Sequence, residues 1–281
     1  MRNPLKRQFP LFVGPTLIAF LIAFAVPFFM GIYLSFTDFT TVSDAVFVGL
    51  SNYKTAFANS SGFLNSLWFT VRFTVISVIS INIFAFALAL ALVRKIPGRN
   101  FFRTVFFMPN LIGGIVLGYI WQLIFNGILM PFSQTLTSNA IYGFWGLVIL
   151  INWQMIGYMM VIYIAGLNNI PTSVIEAAKV DGAGYFRTLF SVIIPNVMPS
   201  ITICLFLTLT NSFKLFDQNL ALTAGAPANE TSMLALDIYK TFYGRSGFEG
   251  VGQAKAVIFS IIVGCIALLQ LYLTRKKEQE Y

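Results

Sequence analysis

The chain has 281 residues, of which 57% are hydrophobic and 10% charged, against about 25% charged in ordinary soluble domains. A composition this apolar excludes a water-soluble globule, and the net charge of +8 is parcelled into loops rather than laid out as a stripe for nucleic acid. With no histidine and only two cysteines, Cys204 and Cys265, a zinc site, a catalytic histidine triad and a disulfide framework are excluded too.

A bilayer core about 30 Å thick takes roughly 20 apolar residues per helix, so spans are read from stretches without charge. The first covers residues 11–36; its basic start and Ala23-Phe24-Ala25 resemble a signal peptide, but the apolar run is too long and reads as an uncleaved anchor. A segment over 37–64 leads to the second span, 65–93. Arg72 lies inside it, lining a vestibule or snorkelling to the surface. The third span is expected at 104–125, with Gly114 and Gly118 at the spacing of close helix packing. Asn126, Gly127, Pro131, Ser133, Gln134, Thr137, Ser138 and Asn139 then break the apolar run as a polar loop, and the fourth span follows at 144–166. The fifth is expected at 196–216, where Lys214 stands three residues before Asp217 as a surface ion pair. A glycine-rich segment over 217–254 precedes the sixth span, 255–274. The runs are continuously apolar, without the alternation of barrel strands, so the spans are helical.

Basic residues alternate by loop. Arg2, Lys6, Arg7, Arg94, Lys95, Arg99, Arg103, Lys179, Arg187, Arg275, Lys276 and Lys277 fall on one side; Lys54, Lys240, Arg245 and Lys255 fall on the other. The positive-inside rule therefore places both termini in the cytoplasm. The Asn-Xaa-Thr match at Asn229 is read as a chance signal.

Residues 166–195 do not have the composition of a disordered loop. Ser173 and Glu176 have capping-box spacing, Ala177, Ala178 and Lys179 favour helix, and Gly182 supplies the left-handed residue that ends one. Tyr185 to Ile194 then forms a second segment before Pro195. The expectation is one helical domain, 1–281, with a rigid cytoplasmic loop at 166–195.

No glycine-rich phosphate loop ending in Lys-Ser or Lys-Thr occurs, so the chain is expected to be non-catalytic. All ten acidic residues lie in loops, at span edges or in the tail, which speaks against ion-coupled carriage. Polar groups inside spans usually face a bundle interior or a cavity. Asn152, Trp153, Gln154, Tyr158, Asn211 and Ser212 are therefore candidates for a pathway that suits a neutral polyol: amides bond hydroxyls and rings cover an apolar face. Interhelical hydrogen bonding and interfacial aromatic belts are the alternative reading of the same residues.

Glu176-Ala177-Ala178-Lys179-Val180-Asp181-Gly182-Ala183-Gly184, followed by Ile193-Ile194-Pro195, resembles the signature loop of permease subunits in binding-protein-dependent ABC importers. Val48-Gly49-Leu50-Ser51-Asn52-Tyr53, Pro97-Gly98-Arg99 with Phe102-Arg103, Ser212-Phe213-Lys214-Leu215-Phe216-Asp217 and Leu222-Thr223-Ala224-Gly225-Ala226-Pro227 look like its carbohydrate branch, the maltose-type F subunits. The large external domain of some maltose permeases is absent. The resemblance implies an all-α type I importer permease in a bacterial cytoplasmic membrane. It implies a second permease, two ATPase subunits that bind ATP and Mg, and an extracytoplasmic sugar-binding protein. It also implies a coupling role for Glu176, Ala177, Ala178, Asp181 and Gly182. A permease for another polar solute, such as a glycerophosphate or polyamine, and an uncoupled channel remain the alternatives.

Overall fold

The structure, a computed structural model, describes residues 4–58, 62–94 and 96–278, with the side chains of 4–11 and 273–278 outside the description. Arg2 and Lys95 therefore lie outside the described residues, as do the side chains of Lys6, Arg7, Arg275, Lys276 and Lys277. The chain falls into two compact groups, Met1–Phe63 with Ile238–Ile261, and Leu64–Asp237 with Ile262–Tyr281.

In the first group, helix α1 (Pro4–Phe20) passes through a π turn, Leu21–Ala25, into α2 (Val26–Leu34). The span Phe12–Leu34 is almost wholly exposed, with Phe20, Phe24 and Phe28 stacked along one side, as a lipid-facing helix requires. A hairpin of β1 (Thr37–Asp38) and β2 (Val46–Phe47) follows, then the short helix α3 (Ser51–Phe57). Asn52 ties α3 to the hairpin, donating from Nδ2 to the Ser35 and Thr37 carbonyls at 3.1 and 2.8 Å. Helix α14 (Glu249–Glu278) begins earlier than residue 255, so Lys255 is not a loop cation. It is fully buried, donating to Thr241 Oγ1 at 2.9 Å with its ammonium over the Phe63 ring.

The second group is built on α4 (Phe63–Val93), α7 (Ala140–Asn168) and α11 (Met198–Phe213). Its apolar core is drawn largely from these helices, with Phe73, Ile81, Leu147, Leu150, Met159 and Cys204 fully buried. One polar node crosses all three. The Tyr163 hydroxyl donates to Asn82 Oδ1 at 2.6 Å, Asn82 Nδ2 to Thr208 Oγ1 at 2.9 Å, and Thr208 Oγ1 to the Cys204 carbonyl at 2.7 Å. In hydrocarbon such groups must find partners within the protein, and here they lock helix register.

The expected third span, 104–125, is not one helix. Arg99–Phe107 forms α5, Met108–Leu111 a 3₁₀ turn, and α6 runs over Gly114–Leu129. Pro109 lacks a backbone donor, and Ile112 and Gly113 are extended, so the chain breaks there and the crossing shifts to Gly114–Phe132. The fourth span starts at Ala140 rather than 144 because Asn139 accepts from the Ile141 amide at 2.9 Å as an N-cap. The fifth does not begin at 196. Tyr185–Asn196 and Met198–Phe213 are bent by 72° about Val197, between Pro195 and Pro199. The incoming arm comprises α9 (Tyr185–Thr188), a π turn at Leu189–Ile193, and α10 (Ile194–Asn196).

After α11 the chain turns into α12 (Asp217–Leu222), which packs on α6. A Cβ at Gly114 or Gly118 would meet Asp217, Gln218 or Ala221, so the small-residue spacing seats α12 of the same chain. The fully buried Asn219 holds the following turn: its amide donates to Thr223 Oγ1 and the Thr231 carbonyl, and its oxygen accepts from the Met233 amide. The turn leads into α13 (Leu234–Gly244).

Candidate functional site

Two features stand apart from the packing. The first is a cavity of about 540 Å³ in the second group, within the range of small-molecule sites. Ile151, Gln154, Met155 and Tyr158 line it from α7, and Leu207, Asn211 and Lys214 from α11 and its end. Their spacing of three, four and seven residues is that of one helix face. Asp217 and Gln218 of α12, with Asn110 beside the break after α5, complete the polar wall.

Gln218 Nε2 donates to Gln154 Oε1 at 2.8 Å, and Gln154 Nε2 reaches the Ile112 carbonyl at 3.4 Å. The pair fixes α12 against α7 where both border the cavity. Asn211 spends Nδ2 on the Leu207 carbonyl at 2.9 Å, and the half-buried Tyr158 packs edge-on to Phe107 at 6.3 Å. The site offers amide and phenol groups together with one cation and one anion. Lys214 and Asp217 are both exposed and border the cavity, and the ion pair expected between them is not formed.

Of the candidates named from sequence, the structure brings Gln154, Tyr158 and Asn211 together at this cavity. It does not bring the others. Asn152, two residues from Gln154 on the opposite side of α7, is buried and donates to the Val148 carbonyl of its own helix at 2.8 Å. Trp153 is exposed and packs edge-on to Trp121 at 5.5 Å. Ser212 is fully buried away from the lining. Sequence reasoning missed Asn110 and Gln218: the first lay within an assumed span, the second beyond the end of one.

The second feature is α8 (Thr172–Val180). The expected capping box does not form. Pro171 is the N-cap and Ser173 already sits inside the helix, so neither Ser173 nor Glu176 satisfies a terminal donor. A capping box does form at Thr41 and Asp44. The glycine stop is present: Gly182 has φ +73°, its amide donates to the Lys179 carbonyl at 3.1 Å and the Ala183 amide to the Ala178 carbonyl at 2.9 Å. This crossed pair is a Schellman ending. Ile175 packs on the core of the second group, whereas Glu176, Ala177, Asp181, Gly182 and Val180 are exposed. The helix is anchored on one side and presents the other.

Among the described residues no cluster of His, Cys, Asp or Glu could hold a metal ion.

Residues 83–279 match the family described as binding-protein-dependent transport system inner membrane component. A protein of Thermoanaerobacterium thermosulfurigenes, described as a probable starch degradation products transport system permease, AmyD, is 48% identical over 96% of this chain and 94% of its own length. The multiple sugar-binding transport system permease MsmF of Streptococcus mutans is 31% identical over 93% of each. In the crystal structure of a bacterial alginate ABC transporter in complex with an alginate pentasaccharide-bound periplasmic protein, one chain superposes with a TM-score of 0.82 at 18% identity, over 98% of this chain and 97% of that one. The fold is thus that of a type I importer permease, and counting the bent helix pair as one span gives six candidate crossings among the described residues. On the family match and these relatives, the chain belongs to the inner membrane components of binding-protein-dependent transport systems.

Proposed function

We propose that this permease carries a neutral di- or oligosaccharide, handed over by an extracytoplasmic binding protein, through the cavity between α7, α11 and α12. The observation that carries the reading is the cavity wall: amides at Asn110, Gln154, Asn211 and Gln218, and a phenol at Tyr158. Such groups exchange hydrogen bonds with hydroxyls without binding a charge. The substrates named for AmyD and MsmF agree with a carbohydrate cargo. Asp217 beside Lys214 leaves the wall without net charge, which disfavours a phosphorylated solute.

Energy comes from outside the chain, since it has no phosphate-cradling glycine loop. Two ATPase subunits clasp the exposed faces of α8 in this permease and in a second one, and their closure is passed to α7 and the incoming arm of α11. Glu176, Ala177, Ala178, Asp181 and Gly182 form that contact, and both termini lie in the cytoplasm. Alternation between outward and inward access then moves the cavity opening from one face to the other.

Reconstitution of the permease pair with its ATPases and binding protein tests this. ATP-dependent uptake of neutral malto-oligosaccharides, with no uptake of glycerol phosphate, is expected. Solute flux without ATP, or preference for the phosphate ester, contradicts it.

A further inference from the structure

We propose that Arg94 at the end of α4 and Arg99 at the start of α5 seat the headgroup of an anionic phospholipid, with the exposed face of α5 against its acyl chains. Helix α4 has 31 residues, about 46 Å at 1.5 Å per residue, against a hydrocarbon core of about 30 Å. Its end therefore reaches headgroup depth. Gly98, at φ +75°, leads into α5.

Arg94 and Arg99 are both exposed. Among the described residues neither forms an ion pair, and the sequence has no acidic residue between Asp44 and Glu176. Arg103, by contrast, is committed, donating from Nη2 to the Leu92 carbonyl at 2.9 Å and so tying α5 to the end of α4. Around α5, Phe101, Phe102, Val105 and Phe106 fall on one arc and are all exposed, Phe101 by 68%. Arg99, Asn100, Arg103 and Thr104 fall on another. An aromatic arc beside free guanidinium groups at headgroup depth is the pattern of an interfacial helix, and the charge selects an anionic lipid.

The seat also bears on transport. A Cβ at Gly157 would run into the Phe106 carbonyl, Phe107 packs on Tyr158, and Asn110 lines the cavity. A lipid that holds α5 thus holds part of the cavity wall. The binding claim itself does not rest on the identity of the cargo.

The test is native mass spectrometry of the assembled transporter exchanged into phosphatidylglycerol or phosphatidylcholine, for wild type, Arg94→Gln/Arg99→Gln and Arg94→Lys/Arg99→Lys. Wild type should retain phosphatidylglycerol preferentially. The glutamine variant should lose that preference by about 25-fold, from roughly fivefold per arginine, and the lysine variant should keep most of it. Should the glutamine variant not assemble, salt titration of wild type decides: retention of phosphatidylglycerol must fall as ionic strength rises. Equal retention in all three proteins, salt-independent retention, or release of an ATPase or second permease subunit in place of lipid overturns the proposal.

Discussion

Gln218 donates one cavity-side hydrogen bond to Gln154, and Asn211 holds its own helix with its amide nitrogen while its oxygen stays free for a solute. Truncating both walls removes hydrogen-bond partners that a buried sugar hydroxyl would then lack, at about 1–3 kcal/mol each. Gln154→Ala with Asn211→Ala should therefore lower uptake at least tenfold at unchanged membrane abundance, whereas Trp153→Ala, on another face, should leave it within twofold. Radiolabelled uptake alongside immunoblots checks both. Outside the membrane, the Thr40 hydroxyl and then the Thr41 amide hold the exposed Asp44 carboxyl down at about 2, below its ordinary 3.8. A depressed folded value means that this cap is complete above pH about 4 and is lost as pH falls through 2. The Thr41 amide resonance should stay constant above pH 4 and shift below it, and Asp44→Asn should abolish the dependence. At this scale the sequence named three of the cavity residues but grouped them by proximity along the chain. Asn152 and Trp153 neighbour Gln154 in sequence, yet only the 151, 154, 155, 158 row shares its face.

Helix α8 owes its length to what stops it. Gly182 occupies the left-handed region, and a Cβ there would meet nothing within 4 Å, so the objection to a side chain is backbone strain and not space. A β-branched residue raises the energy of that conformation by about 1–3 kcal/mol, and the Schellman pair to Lys179 and Ala178 loosens. Gly182→Val should insert at normal abundance, yet retain less ATPase subunit on purification and lose transport. Full retention with full transport would remove α8 from the coupling role. The helix stop was legible because glycine adopts that backbone without strain, while the start was not. Pro171 can serve as N-cap, which placed Ser173 inside the helix and left its hydroxyl without the expected task. The 72° bend at Val197 was half legible: Pro195 signalled an interruption, but nothing in the local sequence sets the angle.

Across the whole molecule, the apolar crossings were readable to within a few residues wherever lipid alone dictates composition, as in Phe12–Leu34 and Phe63–Val93. The third crossing was displaced because the aromatic run of α5 extends the uncharged stretch backwards, although α5 lies before the Pro109 break. Charge asymmetry between loops predicts that a cysteine at Lys179 is labelled only by reagent on the cytoplasmic side and one at Gly247 only from outside, both positions being exposed. The central claim is that solute passes through the α7–α11–α12 cavity. Its most direct test is ATP-driven uptake by the reconstituted transporter carrying Asn211→Cys in a Cys265→Ser background, before and after complete modification with a bulky thiol reagent; the native Cys204 is buried. Modification should abolish uptake while ATPase subunits remain bound. Undiminished uptake at full modification would contradict the account.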